Sequence, residues 1–180
     1  MKKNSFPLMG FDFSFRQLDT LKDLKILTNF LIKQSLGYPN YEDWVLKSEA
    51  EIDCGYKSAI LAFSKNQLIG DLVYQPHKEL PRFRELKNMR VHPIVRQRYF
   101  ASFMLRQAET ENKNAYDAII CDVRTDQPEV INLLRITGYE PILKTPLYDK
   151  NIDDIVMIKT FNKTSRQGIL YKAKENIARN

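Results

Sequence analysis

No apolar stretch in the sequence approaches the roughly eighteen residues that span a bilayer, and no apolar run after Met1-Lys2-Lys3-Asn4 is long enough for a signal peptide. The expected compartment is therefore cytoplasmic, with no membrane partner. Cysteine is scarce as well. Cys54 and Cys121 form no Cys-x-x-Cys and no Cys/His spacing, which argues against a disulfide scaffold, a redox pair or a metal site. Both are expected to be ordinary buried thiols. The only histidines, His77 and His92, read as polar loop residues, so a Cys–His acyl-enzyme scheme has no visible partner for its thiol. No internal repeat or low-complexity segment occurs, which excludes solenoid architectures.

What is present is a 180-residue chain with 43% hydrophobic residues, sufficient for one core. The net charge of +6 is unevenly spread. Residues 162–180 carry Lys163, Arg166, Lys172, Lys174 and Arg179 against Glu175 alone. A second excess runs from Lys78 to Arg98, where Arg82, Arg84, Lys87, Arg90 and Arg96 add to the two ends against Glu79 and Glu85. Such surfaces can attract RNA, although a solvated face that keeps the protein soluble is the more frequent outcome.

The hydrophobic pattern predicts the order of elements. Alternation over Phe11–Arg16 predicts a strand. Asp19 and Thr20 can cap a helix carrying Leu24, Leu27 and Leu31, stopped by Gly37 and Pro39. Asn40 can cap a second, shorter helix through Trp44 to about Ala50. Ala59–Phe63 and Gln67–Tyr74 form a hairpin around Ser64-Lys65-Asn66. Glu85–Val91 is a strand ended by Pro93, and from Arg98 the residues Phe100, Met104 and Ala108 stripe a helix to about Glu111. Ala118–Val123 is an apolar strand, Pro128 opens a helix that Gly138 terminates, and Tyr139–Leu143 and Ile155–Phe161 close the sheet. This is an α/β (α+β) domain over residues 1–161, a mixed sheet covered by helices, followed by a basic tail, 162–180, expected to be weakly helical or loose.

The junction from Val91 to Leu105 is where chemistry is expected. A strand that ends at a proline and passes through a short loop into a helix gathers that helix's first free amides in one place, where its dipole favours negative charge. Arg96 and Arg98 lie in that loop, so a diphosphate would meet main-chain donors and two guanidinium groups.

The segment Val91-His92-Pro93-Ile94-Val95-Arg96-Gln97-Arg98-Tyr99-Phe100-Ala101 resembles the acetyl-CoA signature of the general N-acetyltransferase (GNAT) superfamily. That signature is a strand with a Val near its end, a Pro, then Gln or Arg, two residues, Gly, one residue, and Gly or Ala. Arg96 and Ala101 match its ends, whereas Tyr99 stands at the middle glycine and the loop contains no glycine. Farther on, Val123, Gln127, Leu134 and Gly138-Tyr139 follow the superfamily's skeleton, with Gln127 for the usual Asn and Leu134 for the usual Tyr that protonates the departing thiolate. The resemblance covers about Phe11 to Phe161. It implies a mostly antiparallel sheet of six to seven strands with about four helices, and direct acetyl transfer from acetyl-CoA to an amine. It also implies CoA contacts from Met89, Val91, Arg96, Gln97, Arg98, Tyr99, Phe100, Ala101, Ser102 and Gln127, with the strand ending at Val91 pairing its backbone to the pantetheine arm.

Because a leucine cannot donate a proton, Tyr148 in Pro146-Leu147-Tyr148-Asp149, or water, takes the acid role. Glu85 lies eleven positions before Arg96, the offset of the general base in the superfamily's histone-acetylating branch. It is either that base or a strand-end carboxylate paired with Arg82, Arg84 or Lys87. The acceptor pocket is expected from Gly37–Trp44 and Leu143–Asp153, with Tyr38, Tyr41, Trp44 and Tyr148 as an aromatic lining. The acceptor is a small molecule, a protein or an aminoacylated tRNA, and the chain is a monomer or homodimer. Two other readings stand beside this one: a non-catalytic module of the same fold that senses acyl-CoA or binds a partner, and a basic nucleic-acid-binding accessory protein.

Overall fold

A computed structural model describes residues 12–33, 38–161 and 166–179. The expectations placed on Phe11, Gly37, Asn162 and Lys163 lie outside these residues.

Seven strands form one sheet in the order β1-β2-β3-β4-β5-β7-β6. They are β1 (Phe13–Gln17), β2 (Ser58–Ser64), β3 (Gln67–Pro76), β4 (Phe83–Val91), β5 (Ala118–Arg124), β6 (Glu140–Asp149) and β7 (Ile152–Thr160). Every neighbouring pair is antiparallel except β4 and β5. A parallel pair needs a crossover, and α3 (Phe100–Thr110) provides it. The other helices are α1 (Leu21–Ile32), α2 (Tyr41–Asp53), α4 (Pro128–Ile136) and α5 (Arg166–Arg179). Among the described residues, no helix is long and apolar enough to cross a membrane.

Alternation along the strands sends side chains to two faces. One face packs Ile60, Leu72, Leu86, Ile119 and Cys121 against Phe100, Met104 and Ala108 of α3 and Ile131 and Leu134 of α4. The opposite face is divided. Leu61 and Val73 pack against Leu24, Leu27 and Leu31 of α1 and Val45 and Ile52 of α2, while Ile120, Val156 and Ile158 pack against Ile169 and Ala173 of α5. Between these two apolar clusters the sheet surface is polar. Gly70 on β3 permits the close approach of α3: a Cβ there would lie 2.9 Å from the Arg90 carbonyl oxygen and 3.3 Å from Met104 Cε.

The element order follows the hydrophobic pattern, with several corrections. Thr20 caps α1, accepting from the Asp23 amide at 3.1 Å. Asn40 makes no side-chain cap, because its backbone is left-handed (φ 54°), and α2 extends to Asp53 rather than stopping near Ala50. Cys54 at the end of α2 is exposed, unlike the buried Cys121. The last two strands are longer than the apolar runs that marked them, because their outer halves pair through polar residues such as Thr145 with Asp154. The chain from Arg166, expected to be weakly helical or loose, forms a 14-residue helix. Ile169, Ala173 and Ile177 recur four apart and lie on the sheet, while Arg166 pairs with Glu140 at 2.7 Å and Asn176 with Glu79 at 2.7 Å. Four-residue spacing in a polar background is a helical stripe, so the signal was present but short.

Candidate active site

The site begins with a fault in the sheet. In the β3–β4 ladder Val73 faces Asn88 and Tyr74 faces Leu86, which leaves Lys87 as an extra residue on β4. Such a bulge bends and twists its strand. On the other side, β4 pairs with β5 only through Phe83, Arg84 and Glu85, opposite Ala118, Ile119 and Ile120. Beyond those residues the outer edge of β4 has no strand beside it among the described residues. A cavity of about 280 Å³ opens where the two strands part. β4 contributes Lys87, Asn88 and Met89 to its wall, and β5 contributes Cys121, Asp122 and Val123. Gln127, at the start of α4, and Leu134 close one side, while Tyr38, Tyr41, Trp44 and Tyr148 close the other.

At the end of β4 the chain makes a short 3₁₀ turn over Pro93–Val95, pinned by Val95, which is buried. Arg96 folds back so that its Nε donates to the Val91 carbonyl at 3.2 Å. Gln97 and Tyr99 then adopt left-handed backbone, with φ 63° and 64°. The first described bond into α3 runs from the Phe103 amide to the Tyr99 carbonyl at 3.0 Å, so the amides of Phe100, Ala101 and Ser102 precede any helical acceptor. No acidic residue lies in this first turn. Tyr99 thus takes the conformation that glycine adopts freely. Tyr99 is 76% exposed. Arg96, Gln97 and Arg98 are exposed around the same amides, while Phe100 is buried edge-on against Phe13 at 4.9 Å.

A cluster of ionisable groups occupies the polar part of the sheet face. Lys87 Nζ donates to Glu85 Oε1 at 2.9 Å, and Gln75 Nε2 donates to Glu85 Oε2 at 2.9 Å. Burial works against the Lys87 charge, yet Glu85 and Asp122 together hold its pKa above the ordinary lysine value. Burial pushes the Asp122 carboxyl up, opposed first by the Lys87 ammonium. Burial, and then the Asp122 charge, keep Tyr148 protonated far above its ordinary range. Burial and the same charge raise Tyr38 to about 12.

The placement of Tyr148 has a local cause. Thr145 pairs with Asp154 and Asp149 with Ile152, so Pro146, Leu147 and Tyr148 bulge out of the β6–β7 ladder. Pro146 has no amide hydrogen to give, and the Leu147 amide donates instead to the buried Asp154 Oδ2 at 2.9 Å. This turns Tyr148 toward the cavity, where its ring meets Tyr38 edge-on at 5.7 Å.

Of the residues singled out in the sequence, Met89, Gln127, Tyr148, Tyr38, Tyr41 and Trp44 line the cavity. Val91 and residues 96–102 form the turn at the end of β4. Glu85 stands one step outside the cavity wall, with both oxygens engaged. Lys87 and Asp122 were not singled out as site residues. Asp122 was read as part of an apolar strand, but the alternation Ile120, Asp122, Arg124 sets one face turning polar toward the strand's C-terminal end.

No protein-family model and no curated protein sequence matches the chain. Solved structures do match. A protein of Desulfovibrio desulfuricans described as an acetyltransferase of the GNAT family superimposes with a TM-score of 0.72 at 11% identity, covering 82% of this chain and 98% of its own. The ribosomal-protein-S18-alanine N-acetyltransferase of Escherichia coli gives a TM-score of 0.67 at 17% identity, covering 83% and 94%. A chimeric spermidine N-acetyltransferase built on that of Vibrio cholerae gives 0.63 at 16% identity, covering 83% and 95%. The seven-stranded, mostly antiparallel sheet with helices on both faces is the GNAT fold.

Proposed function

We propose that this chain is an acetyl-CoA-dependent N-acetyltransferase that passes the acetyl group directly to an amine. The observation that carries the reading is the free outer edge of β4, which runs along the cavity and ends at the open amides of α3. Unpaired strand amides and carbonyls are obligatory hydrogen-bonding groups. On that edge the Met89 amide and carbonyl and the Val91 amide suit the two amides of a pantetheine arm, while the Val91 carbonyl is held by Arg96. The diphosphate would then fall on the turn from Arg96 to Ser102, where helix dipole, main-chain donors and the Arg96 and Arg98 guanidinium groups all favour negative charge. Gln127 faces the arm from α4. The left-handed Tyr99 leaves the turn with the backbone shape that a glycine would give.

In this reading the acetyl end lies among Asp122, Tyr148 and the Glu85–Lys87 pair. A main-chain amide of β4 polarises the thioester carbonyl as charge gathers on its oxygen. Tyr148, protonated and at the cavity wall, supplies a proton to the departing sulfur, a role that the buried Leu134 cannot fill. Placement of the two reactants accounts for much of the rate. Two of the neighbours are named for acetylating an alanine of ribosomal protein S18 and spermidine. Both are amines, and the acceptor here is assigned no more closely than that class.

Purified protein should melt at higher temperature with acetyl-CoA, by about 5 °C or more at a hundredfold excess over Kd. It should also release thiol with a member of a panel containing spermidine, peptides with a free N-terminal alanine, and aminoacylated tRNA. A thermal shift without thiol release would favour the acyl-CoA-sensing module. No shift, together with RNA binding that falls steeply with salt, would favour the nucleic-acid accessory protein.

A further inference from the structure

We propose that Arg90 holds a carboxylate of the acceptor, which is therefore an amine that carries a carboxylate as well. That the carboxylate belongs to an acceptor rests on the acetyltransferase reading; the anion site stands on the cavity itself.

Past the extra Lys87, alternation on β4 sends Asn88 and Arg90 to the face of their cross-strand neighbours Val73 and Asp71, the face that carries α1 and α2. Arg90 is only 6% exposed and forms part of the cavity wall. Its guanidinium carbon lies over the Tyr41 ring, 4.8 Å from the centroid, and Tyr41 stacks in turn on Trp44 at 5.7 Å. Both rings line the same cavity. The guanidinium Nε donates to Asn88 Oδ1 at 2.9 Å, while Asn88 Nδ2 donates to Asp71. The asparagine thus stands between the cation and the nearest carboxyl group on its face. Arg90 forms no ion pair among the described residues, and its Nη1 is buried without a hydrogen-bond partner there.

A guanidinium has five N–H donors, and the described contacts spend one of them. A buried charge left without a partner is costly to keep. Asp71 offsets it poorly, since burial raises that carboxyl to about 7. Lys87 is the other cation in the cavity wall, and Glu85 and Asp122 already share its charge. An anion entering the cavity therefore finds its open donors at Arg90. One guanidinium neutralises one negative charge and matches a carboxylate fork to fork. A phosphate monoester carries nearly two charges at neutral pH, and the excess would sit in a wall that also holds Asp122. The stacked Tyr41 and Trp44 rings give apolar surface to the carbon chain attached to the carboxylate.

Trp44 is the one tryptophan of the chain, so its fluorescence reports on this end of the cavity. Sodium butyrate is the probe, titrated into the CoA-free protein, with butyramide as its uncharged counterpart and sodium chloride as the control for ionic strength. Butyrate is expected to change the emission saturably, and butyramide and chloride to leave it in place. Arg90→Met, which keeps an unbranched stem over Tyr41, should weaken butyrate about tenfold or more. Arg135→Met, which removes the same charge from an exposed position on α4, should bind as wild type does. If Arg90→Met does not fold, Arg90→Lys, which keeps the charge but not the fork, should show a smaller loss in the same direction. An unmoved signal in the wild type, an equal response to butyramide or chloride, tighter binding of inorganic phosphate, or wild-type affinity in Arg90→Met would each overturn the anion site. With acetyl-CoA, thiol release should show a lower KM for ω-amino acids of rising length than for their amides, and Arg90→Met should abolish the difference. Equal KM values, or release from neither series, would overturn the acceptor assignment. Absence of CoA binding in the wild type would instead sink the acetyltransferase reading, and the butyrate titration would still decide the site at Arg90.

Discussion

Tyr99 offers a direct test of how the phosphate turn is built. Its backbone is left-handed, with φ 64° and ψ 6°, at the N-cap of α3, and its side chain makes no cap. For a residue with a Cβ this conformation costs about 1–2 kcal/mol. Glycine removes that cost but loses about 0.4–1 kcal/mol through its freer unfolded chain. Because the ring is 76% exposed, truncating it forfeits only about 0.5 kcal/mol of burial. Tyr99→Gly should therefore be neutral to slightly stabilising, whereas Tyr99→Ala keeps the strain and loses the ring.

The difference between the two variants is about 0.5–1 kcal/mol, and for a chain of this size that is a melting temperature about 2 °C higher for glycine than for alanine. Scanning calorimetry at one pH and scan rate would measure it. Calorimetric titration should also show acetyl-CoA binding at least as tightly to Tyr99→Gly, since the backbone shape is kept and a bulky side chain leaves the neighbourhood of the phosphates. If alanine matches or exceeds glycine in stability, the turn is not held in the left-handed form. The claim that Tyr99 substitutes for glycine without changing the backbone would then be wrong.

Replacing Arg96 and Arg98 together by alanine should weaken acetyl-CoA about ten- to a hundredfold by titration calorimetry, because two charge-assisted bonds to phosphate are lost while the helix amides remain; unchanged affinity would move the phosphates elsewhere. Gly70→Ala places a Cβ 2.9 Å from the Arg90 carbonyl in a paired strand, so it should lower stability by about 1–3 kcal/mol in urea unfolding, and an unchanged midpoint would contradict that packing. Asp71 is fully buried, hydrogen-bonded by Asn88, and raised by burial to about 7. Between its unfolded value and 7 the folded protein holds the extra proton, so this group's contribution to stability falls as pH rises through that window. Asp71→Asn should accordingly gain on wild type, on the order of a few kcal/mol, between pH 4.5 and 7.5; a constant difference in urea midpoints would show that Asp71 does not titrate there.

The readable parts of this chain were those in which one local rule acts alone. Leu24, Leu27 and Leu31 mark α1 by their spacing, the hairpin declares itself at Lys65-Asn66, and Pro93 followed by Phe100, Met104 and Ala108 marks a strand-to-helix turn. The harder parts depend on neighbours. Three small or apolar residues in a basic background, Ile169, Ala173 and Ile177, mean little until β5 and β7 offer them a surface. Cys54 is exposed because it falls just past the end of α2, and a lone cysteine in sequence does not say on which side of a boundary it lies.

The site divides along the same line. The turn proposed for the phosphates is continuous in sequence, and its strand-to-helix shape could be read from spacing. The cavity wall is assembled from β4, β5, β6 and the entry to α2, and two irregularities bring these together: the extra Lys87 on β4 and the three residues from Pro146 to Tyr148 that leave the β6–β7 ladder. Bulges shift the facing of every later side chain by one, so strict alternation cannot say where Tyr148 points or that Asp122 stands opposite it. Tyr148 could be named from sequence only as a phenol in a late loop. Asp122, which shares the cavity wall with it, lies on a strand whose apolar composition hid it. Leu134 has no proton to give, and the phenol in the same cavity wall is Tyr148, brought there by the bulge in the β6–β7 ladder.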